Sequence, residues 1–140
     1  MSAVAVDASV WTAAQDVGDP CCTQSRGFFA HVVATGTIIH VPAYARVEVA
    51  CALARKLRNA TKGQRLANLV LTAANAKEHP VNAALLAKAL SFGTAKFLRG
   101  ADALYSATAD LAGCDLVSWD KKHIQRAGAL TPDDWPIANP

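Results

Sequence analysis

Residues 3–11 have the sequence AVAVDASVW, a short apolar run that stops abruptly at Asp7 and is followed by a polar step. A short apolar run bounded by polar residues is typical of a strand that is buried on both faces. Asp7 and Ser9 are residue types that cap helices, and the apolar residues Val10 and Trp11 follow them directly. The stretch therefore predicts a buried strand that passes straight into a helix, with Asp7 at the junction.

The rest of the chain alternates between strand-like and helix-like stretches. Residues 37–41, TIIHV, and residues 115–119, DLVSW, are predicted strands, and Asp120 directly follows the second of them. Helices are predicted over about 20–35 with an end at Gly36, from Pro42 onward, over about 62–76 and 81–98, and from Asp102 to a cap at Gly113. The proline-rich tail leaves room only for a short edge strand at 135–137. This alternation predicts an α/β fold, a sandwich in which helices flank a central, mainly parallel sheet.

The composition predicts one soluble domain over residues 1–140. Hydrophobic residues make up 52% of the 140 residues and charged residues 18%, which suits a single buried core. No stretch reaches the roughly 18 apolar residues that a membrane-spanning helix needs. The apolar start has no basic leader and no long hydrophobic run of the kind that signal peptides carry. We therefore expect a cytoplasmic protein without a membrane association.

The four cysteines and four histidines form no recognisable zinc or redox motif. Cys21 and Cys22 are adjacent, while Cys51 and Cys114 stand alone in apolar stretches, so the sequence has no CxxC pair. All four are predicted to be buried thiols. The histidines are scattered along the chain, and none of them is predicted to act in catalysis.

Four acidic residues are predicted to converge at one edge of the sheet. Asp7 and Asp120 follow two predicted strands, and in an open parallel sheet ligands bind beyond the carboxyl ends of the strands. Asp102 begins the helix that leads into the last strand, which places it at the same edge. Glu48 lies on the helix that leaves the second strand, within reach of that edge. The alternative for each acid, and for Asp102 in particular, is a helix cap or a solvated loop residue.

A cluster of four carboxylates favours a hard divalent cation. Like charges that lie close together raise some carboxyl pKa values, and a cation relieves this repulsion. Oxygen ligands suit Mg²⁺ or Mn²⁺ rather than zinc, and such ions activate water and hold a scissile phosphate. Response regulators and aspartyl phosphatases also use acidic pockets. The first would need adjacent acids after the first strand, and the second an acid two residues after Asp7, where Ser9 stands.

Four segments of the chain resemble, in order, the motifs of the PIN domain. Residues 6–11, VDASVW, are similar to its opening motif, and residues 42–50, PAYARVEVA, to its second acidic motif. Residues 100–109, GADALYSATA, are similar to the third motif, and residues 116–121, LVSWDK, to the fourth. Their order, their spacing and the total length resemble the VapC-type toxins of bacterial and archaeal toxin–antitoxin pairs. The resemblance covers nearly the whole chain.

This resemblance implies a fold, an activity and a set of site residues. It implies a PIN-like sandwich and a Mg²⁺- or Mn²⁺-dependent endoribonuclease that is usually a homodimer and is held inactive by a small VapB-type antitoxin. By motif position, Asp7 and Asp102 would be the main metal ligands. Glu48 and Asp120 would complete the pocket, directly or through water.

Two serines and a group of basic residues complete the expected site. Ser9 and Ser118 would support the acids through hydrogen bonds, and Ser118 stands where many relatives have threonine. The net charge of the chain is +3, so the residues other than the four acids carry +7, which suits a polyanionic substrate such as RNA. An RNA-binding track is predicted from Arg46, Arg55, Lys56, Arg58, Lys62, Arg65, Lys121 and Lys122. The alternatives for these residues are a solvated helix face or an antitoxin-binding surface.

Three functions are compatible with these patterns. The first is the toxin component of a type II toxin–antitoxin system, and the second is a PIN-domain nuclease in RNA processing or decay without a toxin role. The third is a binding module with a vestigial pocket, against which the presence of all four acids argues. Asp110 and Asp115 match no acidic motif and are predicted to be surface residues.

Overall fold

The computed structural model describes residues 2–140 and contains a four-stranded parallel sheet flanked by helices. In the order β3-β2-β1-β4, the sheet consists of β1 (Ala3–Val6), β2 (Ile38–Pro42), β3 (Lys77–His79) and β4 (Asp115–Val117). Val4 in the central strand pairs with Ile39 on one side and with Asp115 on the other. All three described pairings are parallel, so the predicted α/β fold is confirmed.

Eight helices are described within residues 2–140. They are α1 (Ala8–Ala14), α2 (Cys22–Thr35), α3 (Ala45–Leu57), α4 (Ala60–Ala73), α5 (Ala83–Ala95), α6 (Gly100–Ala112), α7 (Lys121–Ala127) and α8 (Asp134–Ala138). The predicted cap at Asp7 is present, since its side chain accepts a hydrogen bond from the Ser9 backbone N–H at the start of α1. Gly113 ends α6 with a positive φ of 66°, a conformation that glycine adopts without strain.

The main core packs the sheet against α1, α2, α3, α4 and α6. Its largest buried side chains include Trp11, Trp135, Phe28 and Tyr105. The Trp135 ring lies edge-on to the Phe28 ring at 5.7 Å, which ties the C-terminal helix to α2. A smaller cluster of Leu85, Ala89, Ala103 and Ala107 joins α5 to α6.

Helices α3 and α4 approach each other closely at Gly63. A Cβ atom at this position would lie 2.6 Å from the backbone N of Ala54 and 2.8 Å from the backbone O of Ala50. Both atoms belong to α3, so a side chain at residue 63 would push the two helices apart. Since α3 also carries Glu48, this contact helps to fix the position of one of the predicted site residues.

The predicted boundaries fail around β2 and β3. Pro42 ends β2 instead of opening the next helix, and the Ala43 N–H extends the ladder with a hydrogen bond of 2.7 Å to the His79 carbonyl. A proline is tolerated here because it needs only to accept, not to donate, in the ladder. The sequence does not predict strand β3, because its residues KEH are polar and mostly exposed and pair with β2 alone.

The C-terminal tail is helical, which corrects the prediction of an edge strand at 135–137. Residues 134–138 form α8, whose third residue is Pro136. The first N–H groups of a helix have no partner within it, so proline costs little there. Burial of Trp135 in the main core then holds this short helix in place.

The buried stripe of α3 also differs from the prediction, since the spacing of apolar residues predicts a stripe of Ala43, Val47, Ala50, Cys51, Ala54 and Leu57. Its buried residues are Ala45, Val49 and Leu53, whereas Val47 and Cys51 are exposed. The prediction that every cysteine is buried is therefore wrong for Cys51. Apolar residues with i, i+4 spacing occur on two neighbouring sides of this alanine-rich helix. Because alanine is small, tertiary packing decides which of the two sides is buried.

No helix in the described part of the chain is long and apolar enough to cross a membrane.

Candidate metal centre

All four predicted acids line one cavity at the carboxyl edge of the sheet. Asp7 follows β1 and Asp120 follows the neighbouring strand β4, while Glu48 and Asp102 lie in the first turns of α3 and α6. The cavity has a volume of about 450 Å³, and Ser9, Thr12, Arg55, Lys56 and Arg99 also line it. The strand order brings the two post-strand aspartates together, and the helices that cover the sheet add the other two acids.

A hydrogen-bond network fixes the orientation of Asp7. Ser9 Oγ donates to Asp7 Oδ2 at 2.7 Å, and Ser118 Oγ donates to the same oxygen at 2.9 Å. The backbone N–H groups of Trp119 and Asp120 donate in turn to Ser9 Oγ at 3.1 Å and to Ser118 Oγ at 2.9 Å. One oxygen of Asp7 is therefore held by the two serines, while Oδ1 accepts no described hydrogen bond and is available to a ligand.

The carboxyl group of Glu48 is perturbed by its position in the cavity. Burial, followed by the charges of Asp7 and Asp102, raises its pKa to about 7. Its Oε2 atom is buried and has no hydrogen-bond partner among the described residues. The Thr12 hydroxyl, which lines the same cavity, is likewise buried without a described partner. Two polar atoms at this cavity thus lack the partners that buried polar groups normally have.

A histidine that the sequence does not predict at the site lies directly behind the acids. His123 is fully buried, with Nδ1 3.9 Å from Asp7 Oδ2 and Nε2 3.7 Å from Asp102 Oδ1. Nε2 also lies 3.1 Å from the Asp102 carbonyl oxygen, and because a carbonyl only accepts, Nε2 carries the hydrogen and donates it. Asp7, Asp102 and His123 offer ligand atoms within 4.8 Å of one another. The sequence feature that could have pointed to His123 is its place three residues after Asp120, in the first turn of α7.

Arg99 is a second residue that the sequence does not predict at the site. Its Nε donates to Asp102 Oδ2 and its Nη2 donates to Asp120 Oδ2, both at 3.2 Å. These hydrogen bonds, first that to Asp102, and the neighbouring charges raise the pKa of the Arg99 guanidinium. Its position three residues before Asp102 on the chain, at the cap of α6, could have suggested an i, i+3 contact.

Only part of the predicted basic track faces the cavity. Arg55 and Lys56 line it, but Lys56 is paired with Asp16 and Asp19. Arg46 makes a two-pronged ion pair with Glu78, its Nε and Nη2 lying 2.9 and 2.8 Å from the two carboxylate oxygens. The remaining predicted members are exposed side chains, for which no ion pair with an acid is described in residues 2–140: Arg58, Lys62, Arg65, Lys121 and Lys122.

The donor set fits a divalent cation. Carboxylate oxygens are the ligands that Mg²⁺ and Mn²⁺ prefer, and the unpartnered Oε2 of Glu48 gains a partner when a cation binds. A cation also offsets the repulsion that raises the pKa of Glu48. Since Nε2 of His123 points its hydrogen at a carbonyl, this nitrogen orients Asp102 and is not free to bind a metal.

Comparisons with known proteins agree with this architecture. In PAE2754 from Pyrobaculum aerophilum the similarity covers 98% of this chain and 96% of that chain, with 18% sequence identity and a TM-score of 0.67. In FitAcB from Neisseria gonorrhoeae it covers 94% of this chain and 98% of that chain, with 17% identity and a TM-score of 0.66. At such identities the likeness concerns the fold alone. No curated protein matches the sequence.

The family model described as "PIN domain" matches residues 4–129, a range that contains all four acids, both serines, Arg99 and His123. It covers most of the chain, with β2, β3 and β4 in full and β1 from Val4 onward. The chain therefore belongs to the PIN domain family.

Proposed function

We propose that this chain is a divalent-metal-dependent endoribonuclease that hydrolyses RNA phosphodiester bonds. PIN domains are generally nucleases, which sets the reaction class. The single observation that carries the proposal is the cavity in which four carboxylates meet and in which Glu48 Oε2 is buried without a described partner. Such a site suits a metal-assisted reaction better than attack by a protein nucleophile.

Each residue of the site has a role in this proposal. Asp7 and Asp102 hold a Mg²⁺ or Mn²⁺ ion, and Glu48 and Asp120 complete its surroundings, directly or through water. When bound, the ion supplies an activated water and stabilises charge on the scissile phosphate. Ser9 and Ser118 keep Asp7 Oδ2 in a fixed direction through bonds of 2.7 and 2.9 Å.

His123 is the positioning residue of the cluster. It is fully buried, and its Nε2–H donates to the backbone carbonyl of Asp102, which holds the first turn of α6 against α7. Partners behind a ligand that fix its direction raise metal affinity and activity. His123 therefore acts through Asp102, and it makes no contact with the substrate.

The proposed substrate is RNA, bound through its phosphates. The exposed Arg55 lines the cavity beside the acids, and Lys121 and Lys122 follow Asp120 at the start of α7. Cations on the rim of an acidic site draw in a polyanion, while a metal ion neutralises the acids themselves. The positive charge of the chain outside the four acids supports this substrate class.

We further propose that the chain is the toxin of a type II toxin–antitoxin system, acting in the cytoplasm as one PIN domain over residues 1–140. The resemblance of its four motifs, in order and spacing, to those of VapC-type toxins supports this role. Its partners would be a VapB-type antitoxin and a second copy of the chain in a homodimer. The alternative is a PIN-domain nuclease of RNA processing or decay, and a small reading frame overlapping the start of the gene would favour the toxin.

A cleavage assay tests the nuclease proposal. Purified protein should cut RNA only with Mg²⁺ or Mn²⁺, leaving a 5′-phosphate and a 3′-hydroxyl. Asp102→Asn should lower the rate about 10²- to 10³-fold, because the lost metal contact is worth several kcal/mol in the transition state.

The matched control is Asp115→Asn, which changes an exposed aspartate at the start of β4 outside the cavity. This variant should keep the wild-type rate. Cleavage that persists in excess EDTA, or a 2′,3′-cyclic phosphate product, would contradict the proposed reaction.

A further inference from the structure

Arg99 reaches into the acidic cavity from the outside. Its side chain is 70% exposed, yet its guanidinium bonds to Asp102 Oδ2 and Asp120 Oδ2, both at 3.2 Å. The Asp102 side chain is only 9% exposed, so the guanidinium covers a largely buried carboxylate. Arg99 thus bridges two acids that stand on different elements, one on α6 and one between β4 and α7.

The Arg99 side chain has no other described partner. It occupies the cap position of α6, but it makes no capping hydrogen bond to the helix. Both of its described side-chain hydrogen bonds go to the two aspartates. The acidic cluster therefore sets the direction of the Arg99 side chain, which caps no helix.

The bridge places one positive charge where the proposed metal ion would find its ligands. Arginine stays protonated at every physiological pH, so the guanidinium always competes for these carboxylates. Ion pairs of an exposed side chain are individually weak, because water screens the charges and the side chain loses conformational entropy when it is held in one position. A divalent ion, with twice the charge and direct contact to several oxygens, can break such a bridge.

We propose that Arg99 is a displaceable counter-cation of the metal site: its guanidinium neutralises Asp102 and Asp120 in the metal-free protein, and a divalent ion must displace it to bind. This inference rests on the metal site of the proposed function. It makes Arg99 a residue that sets the metal concentration at which the site fills. The Arg99 side chain can swing outward because 70% of it is exposed to solvent.

Metal titration without RNA tests this role. Calorimetry with Mn²⁺ should give a dissociation constant about two- to tenfold lower for Arg99→Gln than for the wild type, since the competitor is gone. Arg99→Lys keeps the charge and should stay closer to the wild type. The matched control is Arg55→Gln, which removes a charge from the wall of the same cavity without breaking a described bond to the acids. Its dissociation constant should change by about twofold or less.

A spectroscopic measurement reports on the side chain itself. The Nε–Hε signal of Arg99, assigned by its loss in Arg99→Gln, should move on saturation with Mg²⁺ toward the position and solvent exchange of a free arginine. A signal that stays in place while Mg²⁺ binds would overturn the proposal. So would an Arg99→Gln variant that binds Mn²⁺ no more tightly than the wild type or than Arg55→Gln. Absence of Mn²⁺ binding in every variant would overturn the metal site as well, which separates the two failures.

Discussion

Glu48 lies half-buried near Asp7 and Asp102, and burial, followed by these two charges, raises its pKa from 4.5 to about 7. Between these two values the folded chain binds more protons at this carboxyl than the unfolded chain does. The free energy of unfolding therefore falls as the pH rises from about 4.5 through about 7 and stays lower above that range. In the metal-free protein this ionised carboxylate is a source of instability.

Glu48→Gln should remove that penalty. In EDTA at about pH 8, we expect its free energy of unfolding to exceed that of the wild type by about 1 to 2 kcal/mol, after allowance for the partial exposure of the side chain. At about pH 5 the difference should shrink, because Glu48 is then mostly protonated in the fold. Urea unfolding at both values measures it, with Asp115→Asn as the control that should shift neither curve. Parallel pH profiles for wild type and Glu48→Gln would show that Glu48 carries no such strain.

At the residue scale, the sequence predicts the acids of the site better than their partners. Asp7 and Asp120 follow strands, so their position at the carboxyl edge is a consequence of parallel pairing. Arg99 meets Asp120, and His123 meets Asp102, only because the fold brings the first turn of α6 beside the start of α7, and these contacts depend on side-chain direction. The pattern of residue types along the chain does not show which way a side chain points.

At the scale of elements, the contact of α3 with α4 depends on Gly63. A Cβ there would meet the α3 backbone at 2.6 Å, so Gly63→Ala should force the helices apart and lower the free energy of unfolding by about 1 to 3 kcal/mol. The control is Gly27→Ala in α2, where no atom lies within 4 Å of the new Cβ. That change should stabilise the fold by about 0.5 to 1 kcal/mol, since alanine favours a helix. Thermal melts compare the two, and an unchanged melting temperature for Gly63→Ala would contradict the close contact.

The elements that the sequence predicts well are those with a strong local signal. Strand β1 and the helix cap at Asp7 are visible in nine residues, and Gly113 marks the end of α6. Strand β3 is polar and exists only because β2 offers an edge to pair with. Helix α8 contains a proline and is held by the burial of Trp135, a tertiary contact with no local counterpart.

At the scale of the whole molecule, ion pairs sort the basic residues into two groups. Arg46 is held by Glu78, Lys56 by Asp16 and Asp19, and Lys88 by Asp110. Charges neutralised in this way contribute little to the attraction of RNA, so the effective basic rim is smaller than the sequence alone predicts. The free cations that remain near the cavity are those of Arg55 and the exposed lysines after Asp120.

The toxin role makes a prediction about the cell that carries the chain. Expression of the wild type alone should arrest growth, because cleavage of RNA without an inhibitor is harmful in proportion to the rate. Asp102→Asn should relieve the arrest at equal protein level, since a loss of about 10²- to 10³-fold in rate brings cleavage below what RNA synthesis replaces. Asp115→Asn, changed at an exposed site, should arrest growth like the wild type.

For a nuclease of RNA processing we expect the opposite result: removal of the nuclease, not its expression, harms the cell. Normal growth under strong expression of folded wild type, together with a processing defect on deletion of the gene, would therefore reject the toxin and favour the alternative.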